Sequence, residues 1–150
     1  MRRSLLGPVE RAVWPPGLSV RPFKPDDAEE AHSMLQSGFW DGGGGAVDFR
    51  RWRSALRKDA EFDPALFFLA QDGQGMVGLV HCRTSSVIKD IAVHPRGRRR
   101  GLGRALMLTA FAALRARDAD FVDLKVREDN AAAISLYESL DMRVIERTPA

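Results

Sequence analysis

Two glycines stand where an apolar, strand-like run gives way to a helix-like one. The run is Ile91-Ala92-Val93, then His94 to Arg100, then Gly101-Leu102-Gly103-Arg104. Glycines at a helix start let a ligand come close to the backbone. The free N–H groups and the dipole there favour an anion. Arg96, Arg98, Arg99, Arg100 and Arg104 gather charge around the same point, and arginine suits bidentate binding of phosphate. The chemistry that fits is a pyrophosphate cradle. It is not a Walker loop, because no Gly-Lys-Ser/Thr follows. It is not a dinucleotide fingerprint, because Leu106 stands where a third glycine is needed. For the bare Gly-x-Gly, a tight turn beside a solvated basic patch is the alternative reading.

The spacing carries more. Arg98-x-x-Gly101-x-Gly103, directly after a strand ending Ile91-Ala92-Val93, resembles the acetyl-CoA loop of the GNAT superfamily of N-acetyltransferases. A second motif follows downstream: Asp129-Asn130-x-x-Ala133-x-x-Leu136-Tyr137-Glu138-Ser139-Leu140-Asp141-Met142. The family usually has Gly-Phe or Gly-Met where this chain has Asp141-Met142. The resemblance covers roughly residues 18 to 147. A looser one, in Trp14-Pro15-Pro16-Gly17, Arg21-Pro22-Phe23, Phe62-Asp63-Pro64 and Phe67-Phe68-Leu69-Ala70, is to a single half of the two-domain mycothiol synthase branch.

The resemblance implies an acetyl-CoA-dependent N-acetyltransferase that moves the acetyl group directly to an amine of a small molecule or peptide. In the family the pantetheine arm bonds to fourth-strand backbone like an extra strand. Ile91, Ala92 and Val93 would supply those groups, and the N–H of Val93 or its neighbour would stabilise the thioester oxygen. Arg98, Arg99, Arg100, Gly101, Leu102, Gly103 and Arg104 would hold the pyrophosphate. Asn130 would cap the next helix or contact CoA. Tyr137, the one tyrosine, would protonate the departing thiolate; a core aromatic is the alternative. The attacking ammonium, with a pKa of about 10.4, needs a base. Asp90 is the candidate, although strand alternation puts it on the face opposite Ile91 and Val93, where a structural carboxylate is equally expected. Asp41, His81 and His94 are further candidates. Cys82 reads as a small buried apolar residue. No His/Cys cluster has metal-ligand spacing, so no metal is expected. Gly42 to Gly45 fall in the region that walls the acceptor site in this family, as a lid or a slack linker.

These residues need elements to hold them. The expected order is β α α β β β α β α β. The strands are Leu18–Arg21 (stopped by Pro22), Leu66–Ala70, Met76–Cys82, Val87–Val93, Phe121–Val126 and Arg143–Arg147. One helix starts at Pro25-Asp26-Asp27-Ala28-Glu29, with Asp26 and Glu29 at capping-box spacing, and its apolar face reaches Gly38 and Phe39. A second has Phe49, Trp52 and Leu56 inward. Two more cover about Leu102–Arg117 and Ala131–Leu140. The fold class is α/β (α+β): a GNAT-like mixed, mostly antiparallel sheet of about six strands, flanked by four helices and splayed between the fourth and fifth strands. Residues 1–17 read as an irregular arm, and 18–150 as a single domain.

Composition sets the outer bounds. The 150 residues are 45% hydrophobic and 29% charged, which fits one soluble globular domain and excludes a disordered or fibrous chain. A single cysteine excludes an intrachain disulfide and points to the cytosol. No apolar run approaches the roughly eighteen residues of a membrane helix. The N-terminal Leu5-Leu6 run is too short for an export signal. The net charge of +3, from 23 basic and 20 acidic residues, suits an anionic ligand. No aromatics interleave the arginines as a nucleic-acid stacking platform would need, so neither nucleic acid nor a membrane is an expected partner. After Arg143 only one strand fits where the family has a hairpin. The edge so exposed should be covered by the arm or by a second subunit, and a homodimer is expected. A catalytically inactive acyl-CoA-binding or regulatory module is the alternative function.

Overall fold

The computed structural model describes residues 1–37, 48–98 and 100–148. In chain order the elements are β1 (Arg2–Ser4), β2 (Ser19–Pro22), α1 (Ala28–Gln36), α2 (Phe49–Lys58), β3 (Phe67–Asp72), β4 (Gly75–Arg83), β5 (Val87–Val93), α3 (Leu102–Ala116), β6 (Phe121–Leu124) and α4 (Ala131–Ser139). The strands form one six-stranded sheet in the order β1-β6-β5-β4-β3-β2. Every pairing is antiparallel except β5 with β6. The mixed, mostly antiparallel sheet and its four flanking helices are as expected.

β4 is the middle of the sheet because it can be covered on both faces: Met76 to Cys82 are all buried. One face of the sheet carries Phe67, Leu69, Leu79 and Ala92 against α1 and α2. The other carries Val77, Val80, Ile88 and Ile91 against α3 and α4. Gly78 lets α3 lie close: a Cβ there would come within 3.0 Å of Leu106 Cδ1. β3 and β4 are joined through Gly73 and Gln74, and Asp72 Oδ1 accepts from the Gln74 N–H at 2.8 Å.

Several details differ from expectation, most for a local reason. The first strand includes Pro22, paired with Phe68, where a stop is expected. The irregular arm supplies a strand: β1 pairs with β6 through Arg2↔Asp123, Arg3↔Val122 and Ser4↔Phe121. The expected strand Arg143–Arg147 reduces to one bridge, Arg2↔Arg143, because β1 begins at Arg2 and offers Val144 and Ile145 no partner. The outer edge of β6 is therefore covered by the arm. The expected capping pair Asp26/Glu29 gives way to Asp27. Its carboxylate accepts the Lys24 N–H at 2.7 Å and a bidentate bond from Arg21 at 2.7 and 2.6 Å, so a 3-10 turn over Pro25–Asp27 precedes α1. Leu66 also sits in a 3-10 turn, started by Pro64, and the strand begins one residue later. The first helix ends at Gln36, and Gly38 and Phe39 lie outside the described residues.

With β1 counted, the expected fourth and fifth strands are β5 and β6. They pair only at Val87↔Asp123 and Ile88↔Leu124. β6 then ends and β5 runs on alone along that edge. The register of β4 against β5 shifts at the same place, from Cys82↔Ile88 to His81↔Asp90, which makes Lys89 an extra residue. A bulge of this kind bends and twists its strand, and here it carries β5 away from β6.

Candidate active site

Beyond the bulge, Asp90 to Val93 are paired with β4 on one edge and lie past the end of β6 on the other. Ile91 and Val93 face the α3 side and Ala92 the α1/α2 side. Backbone polar groups along the β6 edge of this stretch are available to an extended ligand.

β5 leads directly into the glycine loop. A 3-10 turn over Pro95–Gly97 is capped by His94, whose Nδ1 accepts the Arg96 N–H at 3.2 Å. Gly97 packs where a Cβ would meet Leu102 Cδ2 at 2.9 Å. Gly101 is the N-cap of α3 in the left-handed region, φ 76°, with no side-chain cap bond. The first helical bond runs from the Ala105 N–H to the Gly101 carbonyl at 3.0 Å. The N–H groups of Leu102, Gly103 and Arg104 thus have no acceptor inside the helix. A Cβ built on Gly101 meets nothing within 4 Å, whereas one on Gly103 would lie 3.3 Å from Leu136 Cδ2 on α4. The first glycine serves conformation and open approach. The second serves close packing of α4 on α3. These features fit a pyrophosphate running over the start of α3.

The arginines divide. Arg96 is committed to the scaffold: it bonds Asp72 at 3.2 and 3.3 Å and the Met76 carbonyl at 3.2 Å. That pair holds the Asp72 carboxyl below its usual range. Arg100 donates to the Pro16 carbonyl at 3.3 Å. Arg104 donates to Glu10 at 2.6 Å and lies 3.5 Å from Ser139 Oγ. Arg98 is exposed beside them, and Arg99 lies outside the described residues.

Asn130 caps α4, its Oδ1 accepting the Ala133 N–H at 3.2 Å. Tyr137 follows two turns on, 2% exposed among the α3-side core residues. α4 closes with Asp141 at φ 65°. Its N–H bonds the Glu138 carbonyl, and the Met142 N–H bonds the Tyr137 carbonyl, at 3.1 and 3.0 Å. This is a Schellman cap. Aspartate tolerates the left-handed conformation that this cap requires.

Asp90 is buried, at 4% exposure, and faces His81 across the strand pair. His81 Nδ1 stands 3.7 Å from Asp90 Oδ2, too far for a hydrogen bond. The His81 ring stacks on Phe67 at 4.5 Å, and its Nε2 has no hydrogen-bond partner among the described residues. His94 is spent on capping the Pro95 turn. Cys82 is fully buried, and burial pushes its thiol up to about 12. Asp41 and Gly42 to Gly45 lie outside the described residues. A groove lined by Leu5, Leu6, Val9, Ala112, Arg115 and Ala116 lies by the far end of α3, away from every residue named for chemistry. Among the described residues no helix is long and apolar enough to cross a membrane.

Residues 28–142 match the profile of the acetyltransferase (GNAT) family. The mycothiol acetyltransferase of Thermobispora bispora is 37% identical over 159 aligned residues, which cover 93% of this chain and 51% of that protein. That of Salinispora arenicola is 34% identical, with 93% and 49% covered. This chain therefore spans about half the length of these relatives. Among solved structures, a GCN5-related N-acetyltransferase from Sphaerobacter thermophilus superposes with a TM-score of 0.79 at 25% identity, covering 95% of this chain and 46% of that one. The ribosomal-protein-S18-alanine N-acetyltransferase of Escherichia coli does so at 0.64 and 26% identity, covering 82% and 76%.

Proposed function

We propose that this chain, which belongs to the GNAT acetyltransferase family, transfers an acetyl group directly from acetyl-CoA to a primary amine. The observation that carries this reading is the continuity of two binding surfaces: the open edge of β5 runs straight into the uncapped start of α3. A pantetheine arm and a pyrophosphate are joined in that order. When bound, acetyl-CoA supplies an activated thioester carbonyl. In this reading Ile91, Ala92 and Val93 hold the pantetheine by backbone bonds. The N–H of Val93 or its neighbour donates to the thioester oxygen, where negative charge gathers as the amine attacks. Arg98, Arg99, Arg100 and Arg104, with the N–H groups after Gly101, hold the pyrophosphate. The forming bond is C–N and the breaking bond is C–S. Asp90 takes the proton lost by the amine, directly or through water, and Tyr137 returns one to the sulfur. Asn130 acts by fixing the start of the helix that carries Tyr137.

The acceptor is a primary amine of a small molecule or peptide, and the similarity to proteins named mycothiol acetyltransferase favours the small molecule. A cytosolic site of action, and a homodimer, complete the proposal. With β1 covering the sheet edge, a dimer is no longer needed for that purpose.

Calorimetric titration with acetyl-CoA and CoA tests the reading, on wild type and on Gly103→Asp. The variant crowds Leu136 on α4 and adds a negative charge to the first turn of α3, which opposes an anion bound at the helix start. Micromolar binding by wild type, lost in the variant, is the expected result. No binding by wild type would overturn it. Binding without thiol release on any amine would favour the inactive binding module.

A further inference from the structure

The cofactor reading above is the premise here, and the question is what else occupies its cations. The arm does not simply trail off after β1. Leu5 is 2% exposed and its N–H donates to the Asp120 carbonyl at 2.8 Å. Val9, Ala12, Trp14 and Leu18 pack on the α3-side core. Between these anchors the chain passes the start of α3 and touches it twice. Glu10 Oε2 accepts from Arg104 Nη2 at 2.6 Å, and the Pro16 carbonyl accepts from Arg100 Nη2 at 3.3 Å. Arg104 lies on the first turn of α3, next to Gly103.

A carboxylate and a phosphate use the same guanidinium donors in the same planar geometry. Glu10 therefore holds a donor that a pyrophosphate over the glycine pair would need. We infer that Glu10 is an internal counter-ion that competes with the CoA pyrophosphate for Arg104, so that the arm sets the affinity for the cofactor. The state of the pair suits exchange. Glu10 and Arg104 side chains are 60% and 38% exposed, and a surface ion pair is weak enough for a doubly charged ligand to displace. Arg96 is the contrast: it is fixed by Asp72 and a carbonyl together and is not offered to a ligand. Because packing anchors the arm on both sides of residue 10, Glu10 swings away on its own side-chain torsions while the arm stays put.

Glu10→Gln keeps the side-chain length and removes the charge. Calorimetry with CoA, and with pantetheine as the phosphate-free control, is run on wild type, Glu10→Gln, Arg104→Gln and the double variant at one ionic strength. The expected result is CoA affinity raised about two- to fivefold by Glu10→Gln, the range a surface ion pair spans. Pantetheine affinity stays unchanged, and Glu10→Gln gives no gain once Arg104 is glutamine. Equal or weaker CoA binding by Glu10→Gln, with wild type binding normally, overturns the inference alone; weaker binding would mean that Glu10 orients Arg104. A gain that persists in the Arg104→Gln background also overturns it, as a general charge effect. Failure of wild type to bind CoA removes the cofactor reading itself, and the inference with it. Thermal melting of each variant confirms that the fold is intact.

Discussion

Gly101 separates two demands that a glycine loop usually merges. Its φ is 76°, and a Cβ built on it meets nothing within 4 Å. Replacing it therefore costs backbone conformation and no steric clash. A left-handed residue with a Cβ costs about 1–2 kcal/mol. For a chain of 150 residues each kcal/mol moves the melting temperature by about 2–4 °C, so Gly101→Ala should melt about 2–8 °C lower. Asn and Asp tolerate the left-handed region better than Ala. Gly101→Asn and Gly101→Asp should therefore melt closer to wild type. Their behaviour with ligand should diverge. Acetyl-CoA raises the melting temperature of any form that binds it. That shift should survive in Gly101→Asn and vanish in Gly101→Asp, where a carboxylate meets the pyrophosphate. The assay is a melting series by circular dichroism, with and without acetyl-CoA. Alanine melting like wild type, or asparagine melting no higher than alanine, would refute the conformational cause. A full ligand shift in Gly101→Asp would refute the anion site.

Tyr137→Phe should lower kcat by roughly 10²-fold, the range of a general acid, and leave the acetyl-CoA KM in place; unchanged turnover removes the phenol from the chemistry. The Asp27 carboxyl is held below its ordinary value of 3.8, first by the Arg21 hydrogen bonds. A depressed carboxyl stabilises the fold above its unfolded pKa and loses that contribution as pH falls through the folded value. Asp27→Asn should thus be less stable than wild type at neutral pH, and the gap should close in strong acid; a gap that stays constant down the acid limb contradicts the assignment. Cys82, with its thiol pushed up to about 12 by burial, should be silent to thiol reagents at about pH 8 in the native protein and react on unfolding. Rapid labelling of the native form would show that the strand opens.

What could be read from the chain followed from strong local patterns. The apolar runs at β3, β4 and β5, and the 3.6-residue repeat of α3, each point to one element, and their bounds moved by few residues. The glycine loop was legible because left-handed and close-approach backbone needs that residue type. What failed depended on partners distant in sequence. Nothing in Arg2-Arg3-Ser4 reads as a strand; its pairing with residues 121 to 123 exists because β6 presents an open edge. Val144 and Ile145 look like strand residues and stay at 50% and 53% exposure, because β1 is too short to reach them. The roles of the arginines were hidden for the same reason. Arg96, Arg100 and Arg104 are neighbours in the chain, yet they answer to Asp72, Pro16 and Glu10. His81 had no visible link to Asp90 until the register of β4 and β5 set them opposite each other.

The extra residue at Lys89 has a consequence for how this strand tolerates change. Ile88 and Ile91 both reach the α3-side core although they are three positions apart, an odd spacing that an unbroken strand would send to opposite faces. β5 is thus two short strands out of phase, with the core dictating the first and the ligand edge using the second. Substitution at Lys89, a half-buried position, alters one side chain. Deletion of the same residue would leave Asp90, Ile91, Ala92 and Val93 on their present faces and opposite their present partners, but would remove the bulge that bends β5 away from β6. Along this stretch chain length is under tighter constraint than residue identity, so variation should accumulate by replacement and almost never by insertion or loss.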